Sequence, residues 1–313
     1  MIVTCGEAMV DLMPETVGGE TLFRPIVGGS LYNVALGVAR LGGRAGYLWE
    51  LSHDTLGVQL LAGLRGEGVD VAAVRVAARA TPVAVVDLSG PEPRFNIADP
   101  DAVMVDTVPP GLPDGAECLV IGSAVLAREP VAAAIEALAA TAPRVAIDYN
   151  VRQPSIVDLA AYKARLVRLS GPGAIVKASV ADLAFLGEQA PHAFMKGLLE
   201  AGAALVVLTA GADGAWAWTA AGEGFVPSMA GPIVDAVGAG DAFMAGLMAH
   251  LQGIGALKDG RAAELGSQDI ALMLDFAQRV AAATCGCKGA VMPHLSALRG
   301  SAAPRHATSS AVG

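Results

Sequence analysis

Cysteine is scarce. Four residues in 313, Cys5, Cys118, Cys285 and Cys287, with no C-x-x-C pair, exclude a disulfide framework; Cys285 and Cys287 fall short of a structural zinc site and read as free thiols. Cationic residues are in the minority. The 21 Lys plus Arg face 30 Asp plus Glu, and a formal charge of −9 argues against nucleic acid and leaves no footprint for an anionic membrane surface. Long apolar runs are missing too. The longest stretch without an Asp, Glu, Lys or Arg, Ala242 to Leu257, contains His250 and Gln252 and is shorter than the ~20 apolar residues a spanning helix needs. No basic residue precedes Arg24 and Glu7 is acidic, unlike the start of a secretory signal, so a cytoplasmic protein is expected. No Gly-Lys dipeptide exists for a Walker A loop and no G-x-S-x-G for a nucleophile elbow, and the five histidines (53, 192, 250, 294 and 306) lack metal-ligand spacing.

What the chain has is apolar residues, 54% of the total, with 16% charged and 4% aromatic, enough for a large core in one main domain. Short β-branched runs at Ile2 to Cys5, Ala45 to Trp49, Cys118 to Ile121, Val145 to Asp148, Ala174 to Val176 and Leu205 to Leu208 read as strands. Between and after them, Leu31 to Leu41, Leu56 to Gly66, Val131 to Ala140, Ala193 to Ala201, Asp241 to Gln252 and Ile270 to Cys285 read as helices, with Asn33, Asp54 and Asp241 as cap or turn residues. The alternation predicts an α/β fold, a mostly parallel sheet between helices, with ligands beyond the carboxyl ends of its strands.

Two segments break the rhythm, residues 13–27 and 81–97. In the second, Pro82 to Leu88 and Arg94 to Ile97 flank a Gly/Pro turn and predict a hairpin. Together they form either a small β flap inserted into the domain or two surface loops. Residues 301–313, rich in Ala and Ser, read as a disordered tail, which leaves 1–300 as the domain.

The segment Asp235-Ala236-Val237-Gly238-Ala239-Gly240-Asp241 runs from small residues into an apolar helix. Free N–H groups at Gly238, Ala239 and Gly240 and the positive end of the helix dipole suit an anion such as phosphate. Asp241 would repel that anion unless it has another task, such as taking a proton from an attacking hydroxyl; the alternative is a helix cap. Asp11, Gly28, Gly29 and Asn33 offer the carboxylate, open backbone and amide of a polyol site, or else a turn acid, a hinge and a cap. In Asp148-Tyr149-Asn150-Val151-Arg152, Arg152 suits a phosphate and Asn150 a hydroxyl or phosphate oxygen; a surface turn pairing Asp148 with Arg152 is the alternative. Lys177, Ser179 and Asp182, then Thr209, Gly211 and Gly214, each follow a predicted strand and by themselves read equally as loops and caps.

In this order and together, these segments resemble the PfkB carbohydrate kinase family, which has the ribokinase-like fold, over roughly residues 1 to 295. Gly28-Gly29-x-x-x-Asn33-x-Ala35 resembles the family's first signature and Asp235-x-x-Gly238-Ala239-Gly240-Asp241 its second. The resemblance implies an ATP-dependent, Mg2+-using sugar kinase. Asp241 would be its base, Gly238, Ala239 and Gly240 the anion hole with Arg152 nearby, and Asp11, Gly28, Gly29, Asn33 and Asn150 the sugar site. Lys177, Ser179, Thr209, Gly211 and Gly214, with Gly240, would form the nucleotide site. Segments 13–27 and 81–97 fall where family members carry a lid that often pairs two subunits. Cys5-Gly6-Glu7-Ala8-x-x-Asp11-x-x-Pro14, Asp148-x-Asn150-x-Arg152 and Lys177-x-Ser179-x-x-Asp182 resemble bacterial fructokinases most, implying D-fructose; kinases for 2-keto-3-deoxygluconate, riboses or nucleosides, and a non-catalytic sugar-binding regulator, are the rivals. Many members have N-x-x-E where Ser179 and Asp182 stand, so Asp182 would hold a magnesium-bound water, and Ala236 replaces a common Thr. Asp235 resembles part of a monovalent-cation (K+) site.

Overall fold

The computed structural model describes residues 1–87, 89, 94–97, 111–229, 231, 233–258 and 260–298; the expected tail lies outside them. The chain runs β1 (Ile2–Cys5), β2 (Met9–Val17), β3 (Glu20–Gly28), α1 (Ser30–Arg40), β4 (Ala45–Leu48), β5 (Glu50–Ser52), α2 (Thr55–Gly66), β6 (Arg75–Ala77), β7 (Val83–Asp87) and β8 (Arg94–Ile97). It continues through β9 (Cys118–Gly122), α3 (Val131–Ala139), β10 (Val145–Asp148), α4 (Leu159–Leu169), β11 (Ile175–Ser179), α5 (Val180–Phe185), α6 (Pro191–Glu200) and β12 (Leu205–Thr209). Last come β13 (Ala215–Trp218), β14 (Glu223–Val226), α7 (Ala239–Gly253), α8 (Ser267–Cys285) and α9 (Leu295–Leu298).

Eight strands make the central sheet in the order β14-β13-β12-β11-β10-β9-β1-β4. From β12 to β4 all neighbours are parallel, as at Ile2↔Cys118 and Ile175↔Leu205, and β1, β4 and β9 are buried along their whole length, as strands covered on both faces must be. All six strands read from the sequence are present. Missed was the β13–β14 hairpin, which joins β12 antiparallel at Val206↔Trp218; its Ala-Trp-Ala-Trp run is β13, between β12 and the edge strand β14.

The two irregular segments come together in a second sheet, β3-β2-β7-β8. The β2–β3 hairpin turns at Gly18 and Gly19 (φ 62° and 86°), where positive φ matches the twist of a two-residue connection. β7 and β8 pair antiparallel as the expected hairpin, and β2 joins β7 in parallel at Asp11↔Ala84. Among the described residues no helix is long and apolar enough to cross a membrane.

The crossing of α1 on α7 positions the site. A Cβ at Gly37 would lie 2.5 Å from the Ala245 Cβ, so glycine there lets the two helices approach closely and brings their N-terminal turns together. Asn33 is not a cap as expected. α1 begins at Ser30, which places Asn33 inside the helix, where its side chain is free to reach α7. Asp54 does cap α2, accepting from the Gly57 N–H at 2.8 Å.

Candidate active site

The carboxyl ends of β1, β9 and β10 open onto one edge of the sheet, and the backbone there is tight. A Cβ at Gly122 would fall 1.9 Å from the Asp148 carbonyl oxygen, and the non-glycine residues Ser123 and Asn150 hold φ of 61° and 36°. Such conformations persist where the surrounding structure enforces them, most often at functional sites. Facing this edge is the N-terminus of α7. Gly238 is its left-handed N-cap (φ 79°), packed so that a Cβ would meet the Ala290 Cβ at 2.5 Å. Ala239 and Gly240 open the first turn, whose N–H groups lack intrahelical acceptors; the Ala239 N–H, expected free, instead donates to the Ala236 carbonyl at 3.2 Å as the loop turns into the helix.

Asp241 stands in that turn, 5% exposed. Its Oδ1 accepts from the Ser30 hydroxyl at 2.7 Å and the Asn150 amide at 3.2 Å, and its Oδ2 accepts from the Asn33 amide at 2.9 Å. Asn150 also donates to Ser30 at 2.7 Å, so α1, α7 and the loop after β10 meet on one carboxylate. Asp241 is therefore not an N-cap. It lines a cavity of about 410 Å³ together with Glu7, Asp11, Asn33, Asn150 and Arg152.

Asp11 reaches that cavity from β2 of the smaller sheet. Burial pushes its carboxyl up to about 6, with Arg152 lowering and Asp241 raising it, and its Oδ1 is buried without a partner. Gly28 leaves room for this side chain, since a Cβ there would lie 2.7 Å from Asp11 Oδ2. Gly29 (φ 105°) leads into α1, where a Cβ would collide with the Glu7 carbonyl oxygen at 2.4 Å. The predicted Asp148–Arg152 turn pair does not form. Asp148 is bound by the Lys177 ammonium at 2.7 and 2.9 Å, both buried, and Lys177 Nζ lies 3.7 Å from where a Cβ on Gly240 would sit.

Ser179 and Asp182 form a reciprocal capping box at the start of α5, and Asp182 Oδ1 also accepts from the Val151 N–H at 2.7 Å. Three hydrogen bonds thus fix Asp182, leaving one lone-pair direction for a metal-bound water. Thr209 pairs with Ser179 across β11–β12; Gly211 (φ 52°) and Gly214 (φ 109°) shape the turn that follows. None of these lines the Asp241 cavity; they extend the same sheet edge beyond it. Asp235 binds the Val237 N–H at 3.0 Å and the Gly289 N–H at 2.9 Å, pinning the glycine loop to residues before α9. Sequence reasoning missed Ser30 and Glu7. Ser30 is signalled only by its place next to the glycine pair, and Glu7 by its place just past an apolar strand and within the Cys5-Gly6-Glu7-Ala8 run, neither of which says what the side chain touches.

A model of the pfkB family of carbohydrate kinases matches residues 1–296. The chain belongs to that family. Fructokinase from Rhizobium leguminosarum bv. trifolii is 35% identical over 260 residues, covering 80% of each chain, and fructokinase from Klebsiella pneumoniae is 32% identical over 298 residues, covering 91% of this chain and 93% of that one. A Vibrio cholerae fructokinase structure with fructose, ADP and potassium has a TM-score of 0.80 at 27% identity, covering 95% of this chain and 97% of that one. Aminoimidazole riboside kinase from Salmonella enterica has a TM-score of 0.81 at 26% identity, covering 96% and 99%. This pfkB kinase is an ATP-dependent sugar kinase of ribokinase-like fold, as the early and late glycine motifs implied.

Proposed function

We propose that the protein transfers the γ-phosphate of ATP to the 6-hydroxyl of D-fructose. The observation that carries this is Asp241, held by Ser30, Asn33 and Asn150 at the helix end that borders a sugar-sized cavity. Asp241 takes the hydroxyl proton as the oxygen attacks phosphorus. Phosphoryl transfer passes through a loose state, so alignment and charge neutralisation matter more than a strong base. The N–H groups of Gly238 and Gly240 stabilise the transferring group, with Ala239 turned by its bond to the Ala236 carbonyl, Arg152 grips its oxygens, and Lys177 adds positive charge beneath Gly240. Asp11, Gly28, Gly29, Asn33 and Asn150 hold the sugar. Ser179, Thr209, Gly211, Gly214 and Gly240 hold the nucleotide along the sheet edge.

Among the described residues no three His, Cys, Asp or Glu side chains converge on a metal position, which fits Mg2+ carried on nucleotide phosphates and water rather than in a protein cage. Asp182 would help hold Mg2+ through a water, and the ion would supply positive charge that neutralises the nucleotide phosphates. We assign a monovalent cation to the Asp235 loop, supported by the potassium in the Vibrio cholerae structure. The β3-β2-β7-β8 sheet acts as the lid. Its exposed Val17, Leu22 and Phe23 support pairing of two copies through it, and a cytoplasmic setting supplies the ATP.

Coupled ADP release across fructose, ribose, 2-keto-3-deoxygluconate and nucleosides, with and without KCl, tests the assignment. Fructose is expected to give the highest kcat/KM. A preference for nucleosides would favour the riboside reading that the Salmonella likeness suggests, although the described cavity residues include no aromatic ring to stack on a base. Sugar binding by calorimetry without turnover would point to a regulator.

A further inference from the structure

Glu7 has no task in the phosphoryl transfer described above. It stands two residues past the end of β1, is 2% exposed and lines the same cavity as Asp241, and its Oε2 is buried without a hydrogen-bond partner. An orphaned buried acceptor costs ~1–3 kcal/mol, more when ionised, so the fold carries this side chain against its own stability. Around it stand Cys5 and Tyr47 on the sheet, Ser123 after β9, whose buried hydroxyl is the neutral donor beside the carboxyl, and Asp241 on α7. The cation that shares the cavity with it and lowers its carboxyl is Arg152, which is exposed and makes no ion pair among the described residues.

We infer that Glu7 is a positioning residue for Arg152: when sugar and nucleotide fill the cavity, its carboxylate takes the guanidinium as counter-ion and sets it against the transferring phosphate. The inference rests on the role given to Arg152 above. While the cavity is open, water solvates the guanidinium and leaves it free. Expelling that water strengthens the attraction between the two charges several-fold and makes a lone guanidinium costly. Arginine suits the task because its planar fork of five N–H donors can serve a carboxylate on one edge and a phosphate on another. Asp11 also has an unpartnered oxygen near Arg152, but it stands on the lid strand, where sugar hydroxyls can reach it.

A double-mutant cycle on the full chain tests this with Glu7→Gln, Arg152→Ala and the pair, reading kcat, KM for fructose and thermal midpoint. Each single change is expected to lower kcat tenfold or more with KM within about twofold. The pair is expected to match Arg152→Ala alone within about twofold, and Glu7→Gln to melt no lower than wild type. Glu7→Asp, which shortens the reach, is expected to fall between wild type and Glu7→Gln, and it replaces the Gln variant in the cycle should that fail to fold. Multiplicative losses, or wild-type kcat in Glu7→Gln, overturn the inference while leaving the kinase reading intact. Wild-type kcat in Arg152→Ala overturns both the inference and the role given to Arg152, whereas no turnover of any sugar by the wild type defeats the kinase reading itself.

Discussion

Asn33 on α1 donates a 2.9 Å hydrogen bond to Oδ2 of Asp241 on α7, across 208 residues of sequence. This bond and its partner from Ser30 aim the carboxylate at the cavity rather than back at its own helix.

Asp241→Asn removes the proton acceptor with little change in volume. Turnover is expected to fall ~10²- to 10⁴-fold, the usual contribution of a positioned base. Fructose affinity by calorimetry is expected to stay within a few-fold of wild type. Turnover within twofold of wild type would remove Asp241 from the chemistry.

Ser30→Ala takes away the 2.7 Å donor to Oδ1 and the acceptor that fixes Asn150. A hydrogen bond to a charged group contributes ~1.5–3 kcal/mol, so kcat is expected to drop ~10- to 100-fold if the bond serves to align the base. A loss confined to KM would mean that Ser30 binds sugar instead.

Lys177 and Asp148 are a buried pair, each with its charged end closed off from water. Removing one partner strands the other. Lys177→Met is expected to destabilise the fold by ~3–5 kcal/mol, and Lys177→Met with Asp148→Asn to recover much of that by removing the stranded charge. Equal midpoints for the single and double variants in thermal unfolding would show that the pair carries no such penalty.

The parallel strands and most of the longer helices were legible because buried parallel strands are apolar end to end and because residues such as Asp54 announce a helix, whereas the β13–β14 hairpin, α4 and α5 were not. The glycine loop before α7 was legible for a similar reason: Gly238 holds a left-handed turn that few other residues tolerate. Ser30, Glu7 and the Asp148–Lys177 pair were not. Their meaning comes from contacts between strands and helices far apart in sequence, and local spacing says nothing about which acid meets which base. Asn33 misled for the same reason: its amide serves a helix 208 positions away, not its own N-terminus.

Glu7 gives the fold a pH dependence whose sign follows from burial. Desolvation is the largest effect on its carboxyl and lifts it from 4.5 to about 7, with Ser123 and Arg152 lowering it and Asp241 raising it. The folded protein therefore holds this proton more tightly than the unfolded chain. Stability from Glu7 is fully present below pH 4.5 and is lost as pH rises through about 7, by an amount on the order of 3 kcal/mol. Asp11, lifted to about 6 by burial, acts in the same direction and is common to wild type and Glu7→Gln, so it largely drops out of their difference. Glutamine does not titrate. The midpoint of Glu7→Gln relative to wild type is thus expected to climb across this window and level off above it, measured by thermal unfolding without ligand. A difference that stays flat would mean the Glu7 carboxyl ionises in the folded protein as it does in the unfolded chain.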